Sequence, residues 1–413
     1  MRVGLQTALS DPNLDAAQAS SQRQLAISIS AIAEATGRTV PLNLCLVLDH
    51  SGSMSGQPLE TVKQAASRLV ERLSPGDRIS IVVFDHRAKV LVPNQPIETR
   101  PVGIKAKISQ LEAEGGTAID EGMQLGIAEL AKVKESAVSQ IFLLTDGENE
   151  HGDNTRCIDL AQMATTYNMT LNALGFGDHW NQDVVEQIAD AGGGTLSYIE
   201  RPEQAVDEFG RLFNRIQSVE LTNAHLLLSL MPKVRLAELK PIAQVAPDTI
   251  ELPFQREDDR IVVRIGDLMT EESRVILANL YISQLAEGKH PIAKVQIRYD
   301  DPAQNQIGHL TDTIPVSATA LQDFESAADA EVQRYVCALA KYRQTQIAET
   351  KLQQGDRAGA ATMLQTAAKT ALQMGDQGAA TVLQTSATRL QSGEDLSDAD
   401  RKKTRIVSKT ILQ

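Results

Sequence analysis

The stretch CLVLDHSGSMSG, residues 45–56, is an apolar run that breaks off at Asp49 and passes into a turn of serines and glycines. An unbroken apolar run fits a strand buried on both faces, as in a parallel sheet covered by helices. Its end delivers Asp49, Ser51 and Ser53 into a turn where nothing apolar can use them. The chain on either side decides what that turn is for.

Strands and helices alternate from about residue 39 to residue 217. TVPLNLCLVLD reads as a strand, and LETVKQAASRLVERL as an amphipathic helix with apolar residues at helical spacing. DRISIVVFD follows as a strand after the turn SPG, then a helix over GIKAKISQLE and another over about 118–133. SQIFLLTDG is a buried strand that stops at Asp146, and MTLNALGFG repeats that pattern. Helix DVVEQIADA, strand TLSYI and helix PEQAVDEFGRLFNRI close the series. The fold class expected for 39–218 is therefore α/β: a Rossmann-like, doubly wound, mainly parallel sheet with helices on both faces.

After Ser218 the grammar changes. AHLLLSL, VRLAEL, RIVVRIG, RVILANLYIS and IAKVQIRY are strand-like runs separated by Pro, Gly or charged turns. They predict an antiparallel β-sandwich over 219–318, its last strand ending near Val316. Within 1–38 the strand QLAISISAI cannot bury its face alone, so it is expected to pair with those later strands, making the α/β unit an insertion; the alternative is that it extends the α/β sheet. The remainder, 319–413, reads as a C-terminal α-helical segment from Asp323 onward. It contains an echo, GDRAGAATMLQTA from Gly355 and GDQGAATVLQTSA from Gly375, each opening with a turn and an N-cap. A period of about 20 is short of the ~34 of tetratricopeptide repeats, so a plain antiparallel bundle is expected. The tail RKKTRIVSK carries five Lys/Arg and no acid, and reads as a solvated face, with docking against an acidic surface as the alternative.

At 413 residues the chain is long enough for two or three domains. Aromatic residues are only 3%, so the cores must be Leu, Ile, Val and Ala. A net charge of −13 argues against nucleic-acid or anionic-membrane binding, because phosphates would be repelled. Cys45, Cys157 and Cys337 give neither a disulfide framework nor a zinc signature. The N-terminus lacks a continuous apolar core for a signal peptide, and no stretch reaches the ~18 apolar residues of a membrane span. A cytoplasmic protein is the expectation.

In an open parallel sheet, ligands bind at the carboxyl ends of the strands. Three loops expected there carry oxygen donors: DHSGSMS with Asp49, Ser51 and Ser53, EGGTAID with Thr117, and LTDGEN with Asp146. Hard oxygen donors without His or Cys suit Mg²⁺, Ca²⁺ or Mn²⁺ rather than zinc. Gly52 relieves crowding between the two serines, and Gly115–Gly116 lets the Thr117 loop come close. With few formal negative charges on it, such an ion stays electrophilic and open to a carboxylate from another molecule. His50 and the acidic run of Glu148, Glu150 and Asp153 read as exposed loop residues at the rim. Trp180, the only tryptophan, reads as packed over a helix, with an interface anchor as the alternative.

Asp-x-Ser-x-Ser, a distant Thr and a later Asp-Gly resemble the metal-ion-dependent adhesion site of von Willebrand factor type A domains, with Asp49, Ser51, Ser53, Thr117 and Asp146 in its five positions. GFGDHWNQDVVEQIADAGGGTLSYI resembles a glycine-rich stretch of a bacterial branch of that family, and the likeness spans about 41–217. The flanking strands and helical tail also resemble proteins grouped with inter-alpha-trypsin inhibitor heavy chains and the so-called calcium-activated chloride channel homologues. The resemblance implies that Ser51, Ser53 and Thr117 bind the ion directly, and that Asp49 and Asp146 act partly through waters or hydroxyls. It implies a non-enzymatic module in which the cation, Mg²⁺ by expectation, captures an Asp, Glu or terminal carboxylate of a partner protein. It also implies that capture shifts the last helix of the α/β unit. Two other readings stand beside it: a scaffold subunit of an AAA+ ATPase or chelatase-type assembly, and a metal-dependent hydrolase with His50 or Glu148 as base.

Overall fold

The computed structural model describes residues 2–33, 40–98, 101–133, 137–177 and 180–410. The chain opens with strands β1 (Val3–Leu9), β2 (Asn13–Asp15) and β3 (Ser20–Ala31). The α/β unit follows as β4 (Leu42–Asp49), α1 (Gln57–Arg72), β5 (Arg78–Phe84), β6 (Ala88–Pro96), α2 (Val102–Ser109) and α3 (Ile119–Leu130). It continues with β7 (Val138–Thr145), α4 (Asn154–Thr166), β8 (Met169–Phe176), α5 (Gln182–Ala191), β9 (Gly193–Ile199) and α6 (Ala205–Gln217).

Its six strands run in the order β6-β5-β4-β7-β8-β9, all parallel except β6. Every residue of β4 and β8 is buried, which is why those segments read as continuous apolar runs. Leu44, Leu46 and Leu48 point to one face, where α1 brings Leu59, Val62, Ala66 and Leu69 and α6 brings Phe209 and Phe213. Cys45 and Val47 point to the other, against Ile127 of α3 and Leu160 of α4. Cys45 is thus a small core residue. The edge strand β6 escapes a sequence reading because Pro93 and Pro96 interrupt its run, which only an edge position tolerates. The register of the predicted strand at Thr39, and the boundary at 38/39, lie outside the described residues.

The second set of strands is β10 (Val219–Leu230), β11 (Val234–Leu236), β12 (Ile242–Ala246), β13 (Ile250–Glu251) and β14 (Gln255–Glu257). It ends with β15 (Arg260–Met269), β16 (Arg274–Ser283), β17 (Gly288–Asp301), β18 (Gln306–Leu310) and β19 (Ile314–Leu321). They form two sheets, β1-β3-β16-β12-β13 and β14-β15-β10-β17-β19-β2, around one aliphatic core. β3 pairs antiparallel with β16, Ile27 opposite Ile276. The N-terminal strand therefore does join the later ones, and the α/β unit sits between β3 and β10 in the chain. β19 runs past the expected end at Val316 and past 318, because its inward residues after Val316 are Ala318 and Ala320, too small to announce a strand.

The tail forms α7 (Ala330–Gln353), α8 (Arg357–Gln373), α9 (Gln377–Gln391) and α10 (Asp398–Lys409). Its core is largely alanine, with Leu364, Leu383 and Leu390 between. Both Gly-Asp pairs act alike. Gly355 and Gly375 end a helix at φ +80° and +81°. Asp356 and Asp376 then cap the next one, accepting from Gly359 N at 2.8 Å and Ala379 N at 2.9 Å. The basic tail is not solvated as expected. Lys403 pairs with Glu200 at 2.9 Å, Arg405 with Glu186 at 2.9 Å, and Lys409 with Asp190 at 2.9 Å. The cause is on α5, where Asp183, Glu186 and Asp190 recur at helical spacing and make one acidic face.

Candidate metal-binding site

β4 is the strand at which the chain order of the sheet reverses: the chain leaves it for β5 on one side and comes back beside it as β7 on the other. Asp49, its last residue, stands at the crevice where ligands of open α/β sheets bind. The next residues turn at once. A short 3₁₀ turn, Gly52–Met54, is pinned by the fully buried Met54, which leaves Ser51 buried and Ser53 exposed at the mouth.

The second loop is stitched onto the first. Gly52 N donates to Gly115 O at 3.0 Å, and Glu114 N to His50 O at 2.9 Å. Gly115 has φ +74°, and a Cβ there would lie 2.6 Å from His86 Nδ1, so the close approach needs glycine. This sets the buried Thr117 at the start of α3.

The third loop completes the cluster. Ser51 Oγ lies 3.0 Å from Ser53 Oγ, and Ser53 Oγ donates to Asp146 Oδ1 at 2.7 Å. A Cβ built on Gly147 would stand 3.2 Å from Thr117 Oγ1 and 3.8 Å from Ser53 Oγ. Both hydroxyls therefore face one small space that any side chain at 147 would fill. The structure thus brings all five sequence-selected residues together: Ser53 and Thr117 border that space, Ser51 and Asp146 contact the Ser53 hydroxyl, and Asp49 holds Ser51 N. Among the described residues no group of three or more His, Cys, Asp and Glu side chains is gathered to hold a metal elsewhere. The donor set here is oxygen only, which fits a hard divalent cation.

Asp49 stands behind the hydroxyls. Its Oδ1 accepts from Ser51 N at 2.8 Å and its Oδ2 from Thr145 Oγ1 at 2.6 Å. Burial pushes its carboxyl above the usual range, and the hydrogen bonds from Ser51 and Thr145 oppose that shift. Thr145 was missed in the sequence, where a threonine at a strand end is an ordinary β-former. Asn149 was missed too: its Oδ1 accepts from Ile119 N at 2.7 Å and so caps α3 from another loop.

His50 departs from expectation. It is buried, not an exposed loop residue, with Nδ1 2.9 Å from Glu112 O. The loop before Thr117 folds over it, a contact between segments more than sixty residues apart. Glu148, Glu150 and Asp153 do lie exposed at the rim, where Asp153 also caps α4 by accepting from Thr155 N at 2.8 Å. Trp180 is buried, donates from Nε1 to Gly177 O at 2.8 Å, and carries Lys402 Nζ of α10 4.4 Å above its ring. Asp178 and His179 of the same glycine-rich segment lie outside the described residues.

The chain matches the von Willebrand factor type A domain family over residues 43–211 and the Sll0103-like, C-terminal alpha-helical domain family over residues 330–413. It belongs to the von Willebrand factor type A domain proteins, in the Sll0103-like group. It is 60% identical over 413 residues to the uncharacterized protein sll0103 of Synechocystis sp., covering 100% of this chain and 98% of that one. Human inter-alpha-trypsin inhibitor heavy chain H4 is 28% identical over 194 residues, which are 45% of this chain and 21% of that protein. A von Willebrand factor type A protein from Catenulispora acidiphila shares the whole fold, with a TM-score of 0.82 at 18% identity over 99% of this chain and 97% of that one. Domains of this family commonly mediate protein interactions.

Proposed function

We propose that this protein is a divalent-cation-dependent binding module whose ligand is a carboxylate on a partner protein. Ser51, Ser53 and Thr117 hold the cation through their hydroxyls, Asp146 orients Ser53, and Asp49 fixes the turn from behind. The bound ion supplies a positive charge with a position left for an external oxygen. Mg²⁺ is the ion we assign, with Ca²⁺ and Mn²⁺ as chemically admissible substitutes. The observation that carries this reading is the small space shared by Thr117 Oγ1 and Ser53 Oγ beside Gly147.

A binding role is favoured over a catalytic one by His50, whose ring is buried against the Glu112 carbonyl and so poorly placed to serve as a base at the rim. A cytoplasmic setting, rich in Mg²⁺, goes with the reading; no helix among the described residues is long and apolar enough to cross a membrane. The alternative, a scaffold subunit docked on an AAA+ ATPase through its helical tail, is told apart by co-purification with such a motor; within that tail Arg405 and Lys409 already pair with α5 of the same chain. The test is affinity capture from native extract on the full chain, with Mg²⁺ or with chelator, beside Asp49→Ala. Capture that needs Mg²⁺ and is lost in the variant is expected. Equal capture in chelator would count against the proposal.

A further inference from the structure

We propose that the cleft between the α/β unit and the helical domain is a second recognition site, which takes a large apolar residue of the same partner segment that offers its carboxylate to the hydroxyl cluster. The inference rests on the binding reading above. The cleft has a volume of about 420 Å³, within the range of ligand sites. One wall is Trp180 and Asn181 from the connection between β8 and α5; the other is Leu352 of α7 with Leu396 and Arg401 before and on α10.

Continuity points to the occupant. Glu148 lines the cleft and lies two residues beyond Asp146. An extended chain advances about 3.5 Å per residue, so the backbone at Glu148, whose side chain lines the cleft, lies within ~7 Å of the Asp146 backbone. A peptide whose acid sits at the hydroxyls would carry a side chain two or three residues away toward that lining. Leu352 and Arg401 suit such a peptide, beside the acids Asp183, Glu349 and Asp398 that also line the cleft. Leu352 stays half-buried, offering apolar surface. Arg401 is exposed, and its guanidinium donates readily to peptide carbonyls. Trp180 is already fixed by its bond to Gly177 O and by Lys402 above its ring, so little ordering is needed on binding.

The probe is a phage-displayed library of random heptapeptides with one fixed Asp, selected on the full-length protein in Mg²⁺. Enrichment of Leu, Met or Phe two or three positions from the Asp is expected. The selected peptides should shift Trp180 fluorescence and bind Leu352→Ser about tenfold more weakly. Arg401→Glu, at an exposed position, gives the same readout should Leu352→Ser lose its native circular dichroism. Mg²⁺-dependent selection for Asp without an apolar preference would overturn the cleft while sparing the metal reading. Retention that ignores Mg²⁺, or no retention, would overturn both.

Discussion

Thr145 shows what the candidate site demands of single residues. Its hydroxyl donates to the buried Asp49 carboxylate at 2.6 Å, and the other carboxylate oxygen is held by Ser51 N. Thr145→Val keeps the shape of the side chain but leaves a buried carboxylate oxygen short of a donor. Stability should fall by about 1–3 kcal/mol, read by urea unfolding, and Thr145→Ser should restore most of it. Gly147→Ala tests the space itself, since its methyl would stand 3.2 Å from Thr117 Oγ1. Cation affinity should drop in a calorimetric titration while the unfolding midpoint stays near the parent's. The five polar residues at the strand ends were legible in the sequence because their types are out of place after apolar runs. Thr145 and the burial of His50 were not, because both depend on which distant loop folds against them.

At the scale of elements, α10 is a basic helix whose Arg405 and Lys409 find their partners on α5 and α7. Lys409 Nζ reaches Glu186 at 2.5 Å and Asp190 at 2.9 Å, in a setting where Lys409 and Glu186 are mostly buried. Lys409→Ala leaves Glu186 buried with one partner fewer and should cost about 3–5 kcal/mol, whereas Lys403→Ala, at a half-exposed pair with Glu200, should cost under about 1 kcal/mol. Burial raises the Glu349 carboxyl of α7 from 4.5 to about 7, although Arg405 pulls it the other way. The folded protein therefore keeps this proton where the unfolded chain has lost it. Its contribution to stability falls as pH rises from about 4.5 to about 7, and Glu349→Gln should flatten that part of a stability–pH curve. Helices and buried strands announced themselves by period and by unbroken apolar runs. The partner of the basic tail did not, since matching the acidic face of α5 to it requires knowing that two segments over 200 residues apart are neighbours.

Polar contacts, as well as shared apolar clusters, tie the units together. Asp267 of β15 accepts from Gln140 of β7 at 2.7 Å and from Thr170 of β8 at 2.8 Å, joining the sandwich to the base of the α/β sheet. Arg215 of α6 pairs with Glu272 beside β16 at 2.8 Å. At the other end, the buried Lys341 of α7 donates to Thr410 O at 2.9 Å, and Thr249 N donates to Lys409 O at 2.9 Å, so the end of α10 meets both the helical domain and the sandwich. Units linked through buried polar groups should unfold together: a single calorimetric transition is expected, and Asp267→Ala should split it. The order of units was legible from the change in strand grammar, and their contacts were not, because glutamine and threonine inside a strand look the same whether they face water or another domain. The central claim is that three loops at the end of this sheet hold one divalent cation through hydroxyls. Isothermal titration of the full chain with Mg²⁺ tests it most directly. One ion per chain should bind, and Thr117→Ala, with an unchanged unfolding midpoint, should abolish the heat; binding that is absent from the parent, or undiminished in the variant, would contradict the claim.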